Sequence, residues 1–93
     1  MSSEPRAPEL ACFAVSAAAE PGALPRLLEP FAKRGLMPSS VHARVTGERL
    51  RADLQVEMDA ATASIVVETL RAIPTVERVL LSGLEAVPAG AVR

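Results

Sequence analysis

The stretch RLRADLQVEM, residues 49–58, decides the fold, because apolar and polar residues alternate through its whole length. Strict alternation is typical of a β-strand with one buried and one solvent-facing side. The apolar set consists of Leu50, Ala52, Leu54, Val56 and Met58. The stretch therefore predicts a strand that packs one side on a hydrophobic core.

Turn and cap residues bound this strand at both ends. Gly47-Glu48 is suited to a two-residue hairpin turn with glycine first, and it predicts an antiparallel partner strand over residues 36–46. Asp59 is a favourable N-cap for a helix over residues 60–73. A last strand is expected over residues 75–82, after Pro74 has ended that helix.

The first half of the chain repeats the order strand then helix. Residues 10–17 are apolar on both sides and predict a central strand. After Pro21-Gly22, an amphipathic helix ends at Gly35, with Pro30 expected to kink it or delay its start. The apolar stripe of that helix is Leu24, Leu27, Leu28, Phe31 and Ala32.

The resulting order, βαββαβ, predicts an α+β fold of the ferredoxin-like type. It has a four-stranded antiparallel sheet in the spatial order 4-1-3-2, and both helices lie on one face. We expect the other sheet face to be polar, as residues 49–58 suggest. The folded domain is expected to span residues 10–82, between a flexible arm (1–9) and a tail (83–93).

Composition excludes several classes of function. The 93 residues carry a formal net charge of −1 and only two aromatic side chains, which argues against nucleic-acid binding. No apolar run is long enough to span a membrane, and the single Cys12 cannot form an intrachain disulfide. The expected location is therefore the cytoplasm.

Residues that could support catalysis or hold a metal are few. His42, the only histidine, is expected on an outward strand face, and Cys12 is expected to be a buried, inert thiol. We predict no catalytic residue, no metal site and no cofactor, although a small enzyme on the same topology remains an alternative.

The turn at Pro21-Gly22-Ala23 is the candidate binding site. It presents backbone N–H groups at the start of a helix, where a carboxylate can bind, and no side chain covers Gly22. The alternative is a tight turn in which glycine only satisfies the backbone. Residues 37–40 are expected to form the opposite wall, and Gly22→Val is expected to strain the turn.

Two stretches of the chain resemble a known family. Residues 21–36 (PGALPRLLEPFAKRGL) and 70–79 (LRAIPTVERV) are similar to an ACT domain, and more narrowly to the small regulatory subunit of acetolactate (acetohydroxyacid) synthase. The resemblance implies a homodimer that binds an amino acid at its interface and regulates a large catalytic subunit. The ligand-binding residues that it implies are Glu20, Gly22, Ala23, Leu24, Met37, Ser39 and Ser40.

Two positions depart from the family pattern, and they separate two hypotheses. Ala19 and Met37 stand where the family usually has Asp and Asn. One hypothesis is a regulatory subunit that docks on a catalytic enzyme, with ligand sensing weak or lost. The other is a free-standing sensor that binds a small amino acid through the backbone at Gly22 and Ala23. Both predict a homodimer, because an edge strand tends to pair or to be covered. The alternative is a dimer in which the helices pack across the two-fold axis.

Overall fold

The computed structural model describes residues 9–84, which form six elements in the order βαββαβ. The strands are β1 (Glu9–Ala18), β2 (Ser40–Thr46), β3 (Arg49–Met58) and β4 (Val76–Ser82), and the helices are α1 (Ala23–Lys33) and α2 (Ala60–Arg71). The expected arm (1–9) and tail (83–93) lie outside the described residues, except for Glu9, Gly83 and Leu84.

The four strands form one antiparallel sheet in the order β2-β3-β1-β4, which confirms the predicted topology. β1 is central, as expected from its apolar composition. β2 is an edge strand and pairs only with β3 in the described part of the chain.

Alternation along β3 places every second side chain in the core. Leu50, Ala52, Leu54, Val56 and Met58 are buried on the side that carries the helices, and the intervening residues are exposed. The strand has the predicted bounds because the Gly47 turn and the Asp59 cap limit it. Gly47 has φ 63°, as a hairpin turn with glycine first requires.

Both helices have recognisable ends. The Asp59 carboxylate accepts a hydrogen bond from Thr62 N–H at 2.8 Å and begins α2. Gly35, with φ 71°, ends α1, while the N–H groups of Gly35 and Leu36 donate to the carbonyls of Ala32 and Phe31. This pair of bonds is the Schellman arrangement, which left-handed glycine makes favourable.

Several expected boundaries and faces differ from the structure. α1 begins at Ala23 and continues through Pro30, so Pro30 does not delay its start, and this proline is buried whereas Ala32 is exposed. β2 begins at Ser40 rather than at residue 36, since Pro38 has no N–H to donate and Ser39 is the first residue to bond to β3. α2 ends at Arg71, and β4 begins at Val76.

The sheet face without helices, called the open face below, is only partly polar. β2 and β3 place polar residues there, but β1 and β4 contribute Leu10, Cys12, Ala14 and Leu80. Leu80 is 55% exposed. The expectation of a polar face therefore holds for β2 and β3 but not for β1 and β4. Both sides of β1 are apolar, and only one of them packs against the helices.

Candidate functional site

The turn between β1 and α1, residues 19–24, is held in place by backbone hydrogen bonds. Ala18 N–H donates to Thr75 O and Ala19 N–H to Glu48 O, both at 3.0 Å. These bonds tie the end of β1 to the β2–β3 hairpin and to the start of β4. These bonds therefore fix the position of the turn at the end of the sheet where α1 begins.

The turn presents two unused backbone donors. Ala23 N–H donates to Glu20 O at 2.9 Å, whereas among residues 9–84 the N–H groups of Gly22 and Leu24 have no partner. Pro25 has no N–H, and no side chain caps the helix. The expected free N–H groups are thus present at Gly22 and Leu24, but the one at Ala23 is already bonded.

An open depression of about 270 Å³ lies beside this turn. Its apolar wall is formed by Leu24, Val45 and Leu50, and Glu20 is exposed at its rim. The other lining residues are Ala19, Pro21, Ala43 and Arg44. The depression thus combines the Glu20 carboxylate, the Arg44 side chain and the free N–H of Leu24 with a small apolar wall, which match a zwitterion with a short apolar side chain.

Gly22 does not need to be glycine for the backbone of this chain. Its φ is −90°, which every L-residue adopts, and a Cβ built on it meets no atom within 4 Å. A Cβ at Gly22 therefore causes no strain in the free chain, whereas strain from the γ-methyl groups of Gly22→Val stays a prediction. The space above Gly22 is open to an incoming molecule.

The second group of candidate residues lies at the other end of β2. Met37 is 83% exposed and lines a separate apolar depression with Leu28, Phe31 and Val41. Ser39 donates from both its N–H and its hydroxyl to Gln55 O, at 2.8 and 3.2 Å, and Ser40 is half-buried.

Within one chain, the wall facing the turn comes from the end of β2 and not from its start. Leu24 at the beginning of α1 lies near Val45, whereas Phe31 near the end of α1 lies near Val41. α1 and β2 therefore run in opposite directions, because the short connection 34–39 returns the chain along the helix. The positions of Ala43, Val45 and Leu50 beside the turn could have been predicted from the register of the hairpin together with the opposite directions of α1 and β2.

The remaining reactive side chains do not converge. His42 is exposed and lies opposite Asp53, and Cys12 is half-buried on the open face rather than in the core, where it was expected. Among residues 9–84, no three His, Cys, Asp or Glu side chains are grouped as metal ligands. No helix in the same range is long and apolar enough to cross a membrane.

Solved structures with the same fold include three informative cases. The ACT domain from GTP pyrophosphokinase of Chlorobium tepidum superposes with a TM-score of 0.73 at 12% identity, over 82% of this chain and 100% of that one. The C-terminal domain of the MgtC protein from Mycobacterium tuberculosis gives 0.67 at 13% identity, over 90% and 97%. At these identities the likeness concerns the fold alone.

The third case is the regulatory subunit of aspartate kinase from Thermus thermophilus. It gives a TM-score of 0.64 at 22% identity, over 81% of this chain and 51% of that one, so this chain spans about half of that subunit. No curated protein matches the sequence. A family model described as an ACT-like domain matches residues 4–87.

Proposed function

Because this chain belongs to the ACT-like domain family, we propose that it is a non-catalytic regulatory domain that pairs with a second copy and senses a small amino acid. The observation that carries the proposal is the turn at residues 19–24. Glu20 and Leu24, whose N–H is free, line an apolar depression, and the far wall of this depression is a sheet edge without a partner strand among residues 9–84. The free N–H of Gly22 lies in the same turn. The proposed location is the cytoplasm.

The edge strand β2 supports a homodimer. Its outer backbone groups have no partner strand among the described residues, and Val41 and Val45 remain 40% and 61% exposed although they point to the helix side of the sheet. Edge strands with exposed apolar side chains tend to pair. Antiparallel pairing about a two-fold axis near Ala43 would continue the sheet and place Val41 of one copy opposite Val45 of the other.

The same pairing explains why the candidate residues are separated within one chain. An antiparallel copy of β2 brings its first residues beside the last residues of the original strand. The partner subunit's Met37, Ser39 and Ser40 then approach the turn at Gly22. In the proposed dimer, each effector site is completed by the two hydroxyl side chains of the second copy.

The chemistry of the turn suits a small amino acid. The effector carboxylate would accept hydrogen bonds from the N–H groups of Gly22 and Leu24, at the positive end of α1. Its ammonium would pair with the Glu20 carboxylate. A short apolar side chain would pack against Leu24 and Val45, within a volume that does not admit a large ligand.

The proposed target is an enzyme of amino-acid biosynthesis such as acetolactate synthase. The resemblance of residues 21–36 and 70–79 to the small subunit of that enzyme supports this target. A free-standing sensor is the second candidate, favoured because the free N–H donors and Glu20 all belong to this chain. The two candidates differ in whether a catalytic chain binds the dimer.

A thermal-shift series with valine, leucine, isoleucine, serine, glycine and phenylalanine tests the effector. A ligand at 100 times its Kd adds about 2.7 kcal/mol, which raises the Tm of a domain of this size by roughly ten degrees. Glu20→Gln should abolish the shift, and Glu57→Gln, at an exposed position of β3, should retain it. A series without any shift would contradict amino-acid sensing.

Reconstitution with acetolactate synthase tests the target. A regulatory subunit should co-purify with the catalytic chain and change its activity. If the effector raises the Tm but the synthase neither binds this chain nor responds to it, the free-standing sensor is supported and the subunit is rejected.

A further inference from the structure

Three arginines lie in one row across the open face of the sheet, and one of them, Arg44, also lines the depression beside the turn at residues 19–24. Arg44 on β2 is directly opposite Arg51 on β3, Arg51 is opposite Ser16 on β1, and Ser16 is opposite Arg78 on β4. Opposite residues of an antiparallel pair point to the same face. The row, Arg44–Arg51–Ser16–Arg78, is called the arginine row below.

No ion pair among the described residues neutralises the arginine row. Arg49 in the adjacent row pairs with Glu77 at 3.3 Å, but no carboxylate of residues 9–84 forms an ion pair with Arg44, Arg51 or Arg78. All three side chains are exposed. The open depression over the row is lined by four arginines and two glutamates, a local charge of +2 on a chain whose formal net charge is −1.

Like charges at directly opposite positions of a sheet are destabilising. The pairing of Arg44 with Arg51 therefore has an energetic cost, and no ion pair within residues 9–84 offsets it, although Asp53 lines a depression together with both arginines. A bound anion would remove the repulsion and would accept hydrogen bonds from both guanidinium groups, which match phosphate oxygens in a bidentate manner.

The length of the arginine row and the hydroxyl groups beside it indicate the size of the anion. Neighbouring strands are about 4.8 Å apart, so Arg44 and Arg78, three strand spacings apart, are separated by about 14 Å. This span exceeds a single phosphate group. The hydroxyl groups of Ser16 and Thr46 line the same depression, which measures about 780 Å³, and they add neutral donors between the charges.

We propose that the arginine row binds an oligophosphate group of two or three phosphoryl units. Arg44 and Arg51 hold one end, and Arg78 holds the other, with Ser16 beneath. The row shares Arg44 with the depression beside the turn at residues 19–24, whereas Arg51, Ser16 and Arg78 lie outside that depression.

Calorimetric titration of the full chain with sodium tripolyphosphate, in phosphate-free buffer of low ionic strength, tests the proposal. We expect saturable binding at one site per chain that weakens as salt is added. Arg51→Gln should weaken binding by roughly ten-fold or more, the loss expected for a charge-assisted contact. Arg34→Gln removes the same charge at the exposed end of α1, and it should leave Kd within about two-fold of the parent value.

Stability in the absence of anion separates lost binding from lost folding. Arg51→Gln relieves the repulsion from Arg44, so its Tm in anion-free buffer should be no lower than that of the parent chain. A lower Tm, an equal loss of affinity in Arg34→Gln, or no binding of tripolyphosphate would each overturn the proposal.

A second ligand, ATP, distinguishes a nucleotide from a free phosphate chain. Tighter binding of ATP than of tripolyphosphate would support a nucleotide, and equal binding would support recognition of the phosphate chain alone. Binding of an oligoglutamate peptide without binding of tripolyphosphate would overturn the proposal in favour of an acidic protein surface.

Discussion

The rings of Phe13 on β1 and Phe31 on α1 meet edge to face, with centroids 5.2 Å apart and planes inclined by 79°. They are the only aromatic side chains of the sequence, and both are almost completely buried. Edge-to-face pairs of this kind add to the stabilisation from burial. The contact joins the first helix to the central strand and so holds the turn at residues 19–24 against the sheet.

Phe31→Ala is expected to destabilise the domain by about 3–5 kcal/mol, because it removes the ring contact and leaves a cavity. Met37→Ala, at a position that is 83% exposed, should change stability by less than about 0.5 kcal/mol. Urea unfolding followed by circular dichroism measures both. Equal effects of the two substitutions would contradict the packing described for α1.

Leu54→Asp is expected to unfold the domain, because it places an unpaired carboxylate in the core at a position that is 1% exposed. Gln55→Asp, one residue further along β3 on the open face, introduces the same side chain into solvent and should leave the chain folded. Far-ultraviolet circular dichroism distinguishes the outcomes. A folded Leu54→Asp chain would show that the buried face of β3 is assigned wrongly.

Val45→Asp is expected to convert the proposed dimer into a monomer with little loss of stability. In the dimer, each copy would place a carboxylate opposite the apolar side chains of the other copy's β2, and both carboxylates would lose hydration. Ile65→Asp, at a site on α2 that is 48% exposed, is the matched control and should remain dimeric. Light scattering gives the mass of each chain; a monomeric parent chain would contradict the dimer itself.

Gly22→Ala is expected to leave the free energy of unfolding within about 0.5 kcal/mol of the parent value, since φ is negative and space for a methyl group exists. Gly47→Ala, where φ is 63°, should instead cost about 1–2 kcal/mol.

The two glycine variants also report on the effector. If an amino acid approaches the backbone at Gly22, the added methyl group should abolish its thermal shift while the chain stays folded. Gly47→Ala, although less stable, should retain the shift. An unchanged shift in Gly22→Ala would exclude close approach of the ligand to this glycine.

The predictions that succeeded depend on local signals. β3 has its predicted bounds because its alternation is uninterrupted and a glycine turn and an aspartate cap flank it. The end of α1 at Gly35 is equally local, because the positive φ that closes the helix favours glycine. The start of β2 was missed because Pro38 breaks the pairing without altering the apolar pattern.

The candidate site was predicted only in part for a different reason. The sequence identified the turn at Gly22 but not its far wall, since Val45 and Leu50 are distant in the chain from Leu24. Their approach depends on the direction in which β2 returns along α1. The arginine row was missed in the same way, because its members come from three strands and meet only through their register.

By itself, the sequence determined the order of strands and helices, the buried side of β3, the end of α1 at Gly35 and the start of α2 at Asp59, because these follow from side-chain period and backbone preference over a few residues. The tertiary structure alone decided which strand ends lie together, which side of β1 stays uncovered and which charges become neighbours. Those relationships arise from packing between distant segments, and no local pattern in the chain encodes them.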